Sequence, residues 1–354
     1  RASTGQCALC GGHWKQIFGR RIRMANAYRS FAEQALHYFI RDHEKTPSPP
    51  INSPANWMGS GIQERETEWL ELLSKDDLIE ISDAVDQAHA QNIGMEALSR
   101  ETFALPRLSK RIASWRDEIK SGRGFVVVRG FPLEEWGEEK AAYAYWGLGH
   151  HLGAPGAQNP QGELLGHVVD YGEEADNPIV RRYRTTGNID FHCDAADAVG
   201  LLCLKTAKSG GQSRIVSSVA VFNEISRRRP DLINRLFEPF FLDKRGEERT
   251  GDTGYVEIPP CCWSANAGLQ TFYHSEYFRS ADRLDGVTID KAASELLDLY
   301  DQICATPEFH LDMWLQRGDM QFISNHTTLH ARTGYEDWPE RNRKRHLLRL
   351  WLSL

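Results

Sequence analysis

Short apolar runs separated by clusters of turn-forming residues fill the chain after residue 160, and this pattern constrains the fold most strongly. Runs of this length, rich in β-branched and aromatic residues and bounded by turn signals, are typical of β-strands. Several such strands at regular spacing predict an antiparallel sandwich or barrel. The predicted strands cover residues 164–170, 200–205, 214–216, 269–273, 310–315, 320–323 and 346–354.

Helical patterns precede these strands. A helix is predicted from Ser74, which can cap it, and others over residues 107–121 and 139–150, where apolar residues recur at helical spacing. The run 124–132 is β-branched and bounded by glycines, so it predicts a buried strand. Helices first and strands afterwards predict a mostly-β fold, a jelly-roll core with a helical N-terminal layer, rather than a βαβ fold.

The first 56 residues have a different character. Residues 22–45 carry a rough apolar stripe, and four prolines between residues 46 and 54 indicate a linker. We therefore predict an N-terminal extension and Pro-rich linker over 1–56 and one domain over 57–354. Cys7 and Cys10 form half of a zinc-site pattern, but no second ligand pair follows, so a loose terminus is favoured.

Charge and composition exclude several classes of function. The net charge of −7 gives no basic field for nucleic acid, and no run approaches the roughly 18 apolar residues of a membrane span. Seven cysteines do not form a disulfide framework, and no apolar signal segment is evident. We expect a cytoplasmic protein that acts on a small molecule, with a homo-oligomer left open.

The strongest chemical signal is the tetrapeptide from Phe191 to Asp194. In extended chain, His192 and Asp194 project to the same face and could bind one ion together. Two histidines and one carboxylate on one face of an octahedral ion leave three positions open, which suits non-haem Fe(II). The residues alone leave the third ligand open among His274, His310, His326, His330 and His346.

The C-terminal segment supplies a matching element. Residues 345–352 read as a strand with leucines on both faces, so both faces are expected to be covered. Arg345 and Arg349 then share one face, and a buried guanidinium needs an anionic partner such as a carboxylate. The alternative is a solvated basic run that continues from Arg341 and Lys344.

Four stretches together resemble the taurine dioxygenase-like (TauD/TfdA) family of Fe(II)/2-oxoglutarate-dependent dioxygenases, and the likeness spans residues 57–354. They are 124–132, 191–194 followed by 210–213, 318–333, and 345–349. The resemblance implies a double-stranded β-helix of the clavaminate synthase-like type. It also implies Fe(II), 2-oxoglutarate as co-substrate and O₂, with release of succinate and CO₂.

The resemblance assigns roles to individual residues. His192, Asp194 and His330 match the iron ligands, and Arg345 matches the arginine that binds the distal carboxylate of 2-oxoglutarate. Ser213 matches a position that often offers a hydroxyl to the same carboxylate.

Two further positions concern the substrate. Arg349 matches a second active-site arginine that meets an anionic substrate or helps hold the co-substrate. Asn188 matches a polar pocket position, with a turn residue as the alternative. Because Asp194 is retained, halogenation is disfavoured, and oxidation of an unactivated C–H bond is expected, by hydroxylation, desaturation or cyclisation.

Three alternatives remain at this stage. A cupin-like metalloprotein would have no use for a buried carboxylate clamp at Arg345. A catalytically inactive jelly roll serving as a binding module would be expected to have lost a metal ligand. Residues 1–45 could instead dock a partner or nucleic acid, and unchanged solubility and turnover after their deletion would make the segment dispensable.

Overall fold

Two β-sheets packed face to face form the centre of the fold. The computed structural model describes residues 28–173, 182–245 and 253–354, so Cys7 and Cys10 lie outside the described residues. The strands are β1 (Leu70–Leu72), β2 (Phe125–Arg129), β3 (Ala154–Gly156), β4 (Gly166–Val169), β5 (Ile189–His192), β6 (Ala198–Lys205), β7 (Ser209–Gly210), β8 (Ser213–Ser217), β9 (Phe240–Asp243), β10 (Tyr255–Ile258), β11 (Cys261–Ser264), β12 (Gly268–Thr271), β13 (His310–Met313), β14 (Met320–Ser324), β15 (Thr328–Arg332), β16 (Tyr335–Glu336) and β17 (His346–Ser353).

The larger sheet has the strand order β1-β2-β14-β6-β17-β3, with β4 also paired to β17. Its strands are antiparallel except for the parallel pair of β1 and β2. The smaller sheet has the order β13-β8-β15-β5 and is antiparallel throughout. These two sheets are the jelly-roll core that the strand pattern predicts, because non-consecutive strands pair within each sheet.

Strand alternation places the apolar side chains on both faces of the larger sheet. In β2, Phe125 and Val127 pack between the two sheets, whereas Val126 and Val128 pack against the helical layer. Leu348, Leu350 and Leu352 of β17 contribute to the helical side in the same way. The prediction that both faces of the C-terminal strand are covered is confirmed.

Helices cover the outer faces of both sheets. The predicted helix after Ser74 is present with a complete capping box, and the one predicted over 107–121 is also present. The helix predicted over 139–150 begins earlier, and three helices after residue 217 were not predicted. The helices are α1 (Phe31–Phe39), α2 (Gly59–Gln63), α3 (Glu66–Trp69), α4 (Lys75–Ala90), α5 (Leu108–Lys120), α6 (Leu133–Leu152), α7 (Ser218–Arg228), α8 (Ser275–Ser280) and α9 (Lys291–Ala305).

Helix α1 packs against the core beside the smaller sheet. Tyr38 is fully buried, and its hydroxyl donates to the carbonyls of Thr271 and Asn325 at 3.1 and 2.9 Å. His37 Nε2 lies 2.9 Å from Asp197, which also bonds His326 Nε2 at 2.9 Å. The boundary between residues 56 and 57 stays a prediction, but α1 contributes to the same hydrophobic core as the later helices.

The carboxylate of Asp197 is a stabilising link between α1 and the core. Burial raises its pKa, but hydrogen bonds from His326 and His37 outweigh burial and hold the pKa below the ordinary 3.8. We expect Asp197→Asn to lower the free energy of unfolding by about 2 kcal/mol at pH 7. A carboxylate whose pKa is lower in the folded protein than in the unfolded chain stabilises the fold at pH values above the unfolded pKa. The difference in unfolding free energy between wild type and Asp197→Asn must therefore shrink as the pH falls toward 3. Urea unfolding at pH 7 and pH 3 measures this difference, and an equal difference at the two pH values would contradict the stabilising role of the Asp197 carboxylate.

The described residues bear on two compositional predictions. None of the helices in the described ranges is long and apolar enough to cross a membrane. The five cysteines in these ranges are all free and buried: Cys193, Cys203, Cys261, Cys262 and Cys304.

Candidate active site

Two histidines face each other across neighbouring strands. His192 ends β5, and its register partner on β15 is His330, with ring centroids 4.2 Å apart. The His192 Nδ1–H donates to the carbonyl of Asp190 at 2.8 Å, which leaves Nε2 with its lone pair available as a ligand atom.

Asp194 lies just beyond β5 and is held from three sides. Its backbone N–H donates to Asn325 Oδ1 at 3.0 Å, and Trp351 Nε1 donates to Oδ2 at 2.9 Å. Arg349 Nη1 lies 3.4 Å from both carboxylate oxygens. Burial raises the pKa of Asp194, but Arg349 and the two histidines outweigh it and lower the pKa to about 2. The group is therefore an anion at neutral pH.

His192, Asp194 and His330 bring one donor atom each to within 4.8 Å of one another. Burial and the neighbouring His192 lower the pKa of His330 to about 3, so its imidazole is neutral and able to bind a metal. His326 is instead paired with Asp197. The structure thus groups the three residues that the resemblance implies, and a two-histidine, one-carboxylate donor set fits Fe(II).

A cavity of ≈ 60 Å³ leads from the two histidines into the space between the sheets. Ser213 is on its wall, and its hydroxyl donates to Gln321 Oε1 at 2.8 Å. The lining residues are Val168, Tyr183, Ile189, His192, Val199, Leu201, Ser213, Leu315, His330, Ala331, Arg332, Arg345, Leu347 and Arg349. We call this space the inner cavity.

Two arginines of the inner cavity are buried without a carboxylate partner. Arg345 and Arg332 are 6% and 5% exposed, and neither makes an ion pair with any residue in the described ranges. Arg345 Nη1 and Arg332 Nη1 are buried and make no hydrogen bond there. Burial, followed by the charge of Arg345, lowers the pKa of Arg332 to about 10. Because unpaired buried cations are costly, the cavity fits a bound anion.

Arg332 is a residue that the sequence interpretation missed. Its Nη2 donates to the carbonyl of Thr185 at 2.9 Å and also to that of Gly187, so it ties β15 to the chain before β5. A signal was present in the sequence. Arg332 follows His330 by two residues on one strand, the spacing that placed His192 and Asp194 together.

A second cavity of ≈ 290 Å³ is lined by His192 and Asp194 of the triad, and we call it the outer cavity. Arg349 lines both cavities, with Nε donating to Gln158 Oε1 at 2.7 Å and Nη1 facing Asp194. Helix α1 contributes three residues to this wall. The outer cavity is lined by Phe31, Ala35, Phe39, Arg182, Tyr183, Ile189, His192, Cys193, Asp194, Ala195, Leu242, Asp243, Lys244, Arg245, Val256, Phe272, His274, Glu276, Tyr277, Arg349 and Trp351.

Asn188 is the one predicted site residue that the structure does not bring to either cavity. Its side chain is exposed, and Nδ2 donates to Asp190 Oδ1 at 2.7 Å. A short polar side chain that bonds the residue two positions on is typical of a turn. These contacts favour the turn alternative, and a substrate-binding role for Asn188 stays a prediction.

A jelly roll that presents two histidines and one aspartate beside a cationic inner cavity defines a class, the non-haem iron oxygenases that use an anionic co-substrate. The family model described as "Taurine catabolism dioxygenase TauD, TfdA family" matches residues 87–351. The chain belongs to this family. It is an oxidoreductase that depends on Fe(II), 2-oxoglutarate and O₂, so the family, fold and cofactor predictions are confirmed.

Individual relatives are more distant. The chain is 28% identical over 314 residues to FR-33289 synthase of Streptomyces rubellomurinus, covering 86% of this chain and 91% of that protein. It is 25% identical over 331 residues to Taurine hydroxylase-like protein SAT17 of Stachybotrys chartarum, covering 90% and 82%. A solved asparagine oxygenase in complex with Fe(II), 2S,3S-3-hydroxyasparagine and succinate has a TM-score of 0.63 at 17% identity, covering 80% and 93%. That likeness shows the fold.

Proposed function

We propose that His192, Asp194 and His330 bind Fe(II), and that Arg345 binds the distal carboxylate of 2-oxoglutarate in the inner cavity. Ser213 can turn its hydroxyl from Gln321 toward the same carboxylate. When bound, the metal and co-substrate supply the oxidation of an unactivated C–H bond, with release of succinate and CO₂. We further propose a cytoplasmic enzyme for a small organic molecule, with no nucleic-acid or membrane partner.

The observation that carries this proposal is the buried guanidinium of Arg345, whose Nη1 has no hydrogen-bond partner among the described residues, in the cavity that begins at the triad. A dicarboxylate can satisfy both ends of that cavity, with one carboxylate at the metal ligands and the other at Arg345. Guanidinium groups pair with carboxylates in bidentate geometry, which gives strong and oriented binding. A cupin-like protein without this co-substrate would leave Arg345 as an uncompensated buried charge.

The outer cavity is the proposed substrate site because it reaches the triad at His192 and Asp194 and has more room than the inner cavity. Its apolar wall, formed by α1 and Trp351, borders the space beside Asp194. Arg349 has a positioning role here. Together with the Trp351 indole it fixes the Asp194 carboxylate as an anion facing the two histidines.

Loss of one triad histidine is expected to remove the metal. We expect His330→Ala to weaken Fe(II) binding more than about 100-fold, because a lost ligand costs more than a lost outer-shell partner. His326→Ala is the matched control, since His326 bonds Asp197 and lies outside the triad. Iron content after anaerobic dialysis measures both variants. Equal iron retention in both would contradict the ligand assignment.

A further inference from the structure

A row of ring contacts leads from the metal triad to an arginine on another wall of the outer cavity. The His274 ring centroid lies 5.0 Å from that of His192, and His274 stacks on Tyr277 at 3.8 Å. The guanidinium of Arg245 lies 4.0 Å from the centre of the Tyr277 ring. Arg182 lines the same cavity. The cavity therefore has the triad on one side and cationic groups two rings away.

Two guanidinium groups of this wall have a single carboxylate as their ion-pair partner among the described residues. Arg182 Nε lies 2.6 Å from Glu276 Oε1, and Arg245 Nη2 lies 3.7 Å from Glu276 Oε2. In the ranges that the structure describes, these two guanidinium groups share that one carboxylate. The neighbouring Asp243 is engaged by Arg283 through two bonds of 2.8 Å. Among the described residues, Arg182 and Arg245 together thus carry one positive charge more than the single carboxylate that they share.

Arg245 has two features of a residue kept for binding rather than for packing. Its side chain is 10% exposed, and its Nε is buried with no hydrogen-bond partner among the described residues. Its backbone has φ 51°, in the left-handed region that side-chain-bearing residues rarely adopt. Strained backbone of this kind clusters at ligand sites, where the surrounding structure holds it in place.

We propose that Arg245 and Arg182 form an anion subsite in the outer cavity, which binds an oxyanion of the substrate in competition with Glu276. The shared chemistry is that of a phosphonate, phosphate monoester, sulfonate or carboxylate. This inference rests on the proposed function, because it places the oxyanion two rings from the triad and the reacting C–H bond nearer to it. Arg349 is not this subsite, since Gln158 and Asp194 already occupy it.

The test uses propylphosphonate as the probe and the full chain loaded anaerobically with Fe(II) and 2-oxoglutarate. Calorimetric titration is expected to show saturable binding to wild type. Arg245→Gln should weaken it at least tenfold, whereas Glu276→Gln should tighten it by removing the competing carboxylate. Arg227→Gln, on the exposed face of α7 and paired with Glu224, is the matched control and should bind as wild type does. If Arg245 had only a structural role, Glu276→Gln would not bind the probe more tightly than wild type does.

Propylsulfonate and butyrate are titrated in parallel to decide which oxyanion is preferred, and 1-butanol tests the need for charge. In protein that forms the visible complex with Fe(II) and 2-oxoglutarate, three results would overturn the subsite. They are no binding of any of the three anions, equal affinity in wild type and Arg245→Gln, and 1-butanol binding as tightly as the anions. Absence of the visible complex in wild type would instead refute the proposed function.

Discussion

Replacing Arg345 by Met is expected to weaken 2-oxoglutarate binding by about 100-fold. The substitution keeps the buried apolar stem but removes the guanidinium that we propose to bind the distal carboxylate. Losing a charge-assisted, bidentate contact of this kind costs about 3 kcal/mol, which corresponds to roughly two orders of magnitude in Kd. Calorimetric titration of the anaerobic Fe(II) protein with 2-oxoglutarate measures the effect.

The same variant is expected not to lose stability when no co-substrate is present. Arg345 is buried without an ion pair in the described ranges, and replacing such a charge by an apolar group of similar volume is often neutral or stabilising. Arg341→Met, at an exposed position of the same segment, is the control and should change neither quantity. A variant that binds 2-oxoglutarate normally, or whose thermal stability falls while its affinity is kept, would show that Arg345 has a structural role only.

Replacing Tyr38 by Ala is expected to cost about 3–5 kcal/mol of unfolding free energy, the range for a large aromatic side chain removed from a core. Tyr38 is fully buried, stacks on His326 at 4.7 Å and donates to the Asn325 carbonyl. The same Asn325 holds the backbone N–H of Asp194. We therefore expect turnover to fall together with stability. Urea unfolding and succinate formation measure the two effects.

The control for Tyr38 is Ile40→Ala, because Ile40 lies next to α1 with 58% of its surface exposed. Exposed substitutions of this kind usually change stability by less than about 0.5 kcal/mol. Deletion of residues 1–45 is the stronger version of the experiment, since it also removes Phe31, Ala35 and Phe39 from the outer cavity. Unchanged stability and turnover after that deletion would restore the hypothesis that the segment only docks a partner.

The metal triad could be predicted because its chemistry is local in the sequence at two of its three positions. His192 and Asp194 are two residues apart, and alternation in extended chain places them together. The third ligand could not be chosen from the residues, because which histidine faces His192 depends on the register of β15 against β5. The resemblance supplied His330, and the structure groups it with the other two.

Most strands of the core were predictable from their composition, but β15, which carries His330, was not among the predicted strands, and the helices after residue 217 were not recognised. Ser217 and Asp290 each cap a helix by accepting from a backbone N–H three residues later. Those capping signals are present in the sequence and were outweighed by the strand-like runs around them.

The contribution of α1 to the site was hidden for a different reason. Its contacts with Trp351, Asn325 and Asp197 join residues more than 150 positions apart, and such pairings are not encoded in a local pattern. The Pro-rich segment after α1 indicated that the N-terminal extension is separate from the following domain. Tyr38 of α1 instead packs in the same hydrophobic core as the later helices.

The most direct test of the account is an anaerobic visible spectrum. Fe(II) is added to metal-free protein and then 2-oxoglutarate, with His330→Ala and Arg345→Met run alongside. We expect a metal-to-ligand charge-transfer band in wild type that is absent in His330→Ala and needs far more 2-oxoglutarate in Arg345→Met. Well-folded, iron-loaded wild-type protein without this band, or an equal band in all three proteins, would contradict the assignment of the metal and co-substrate sites.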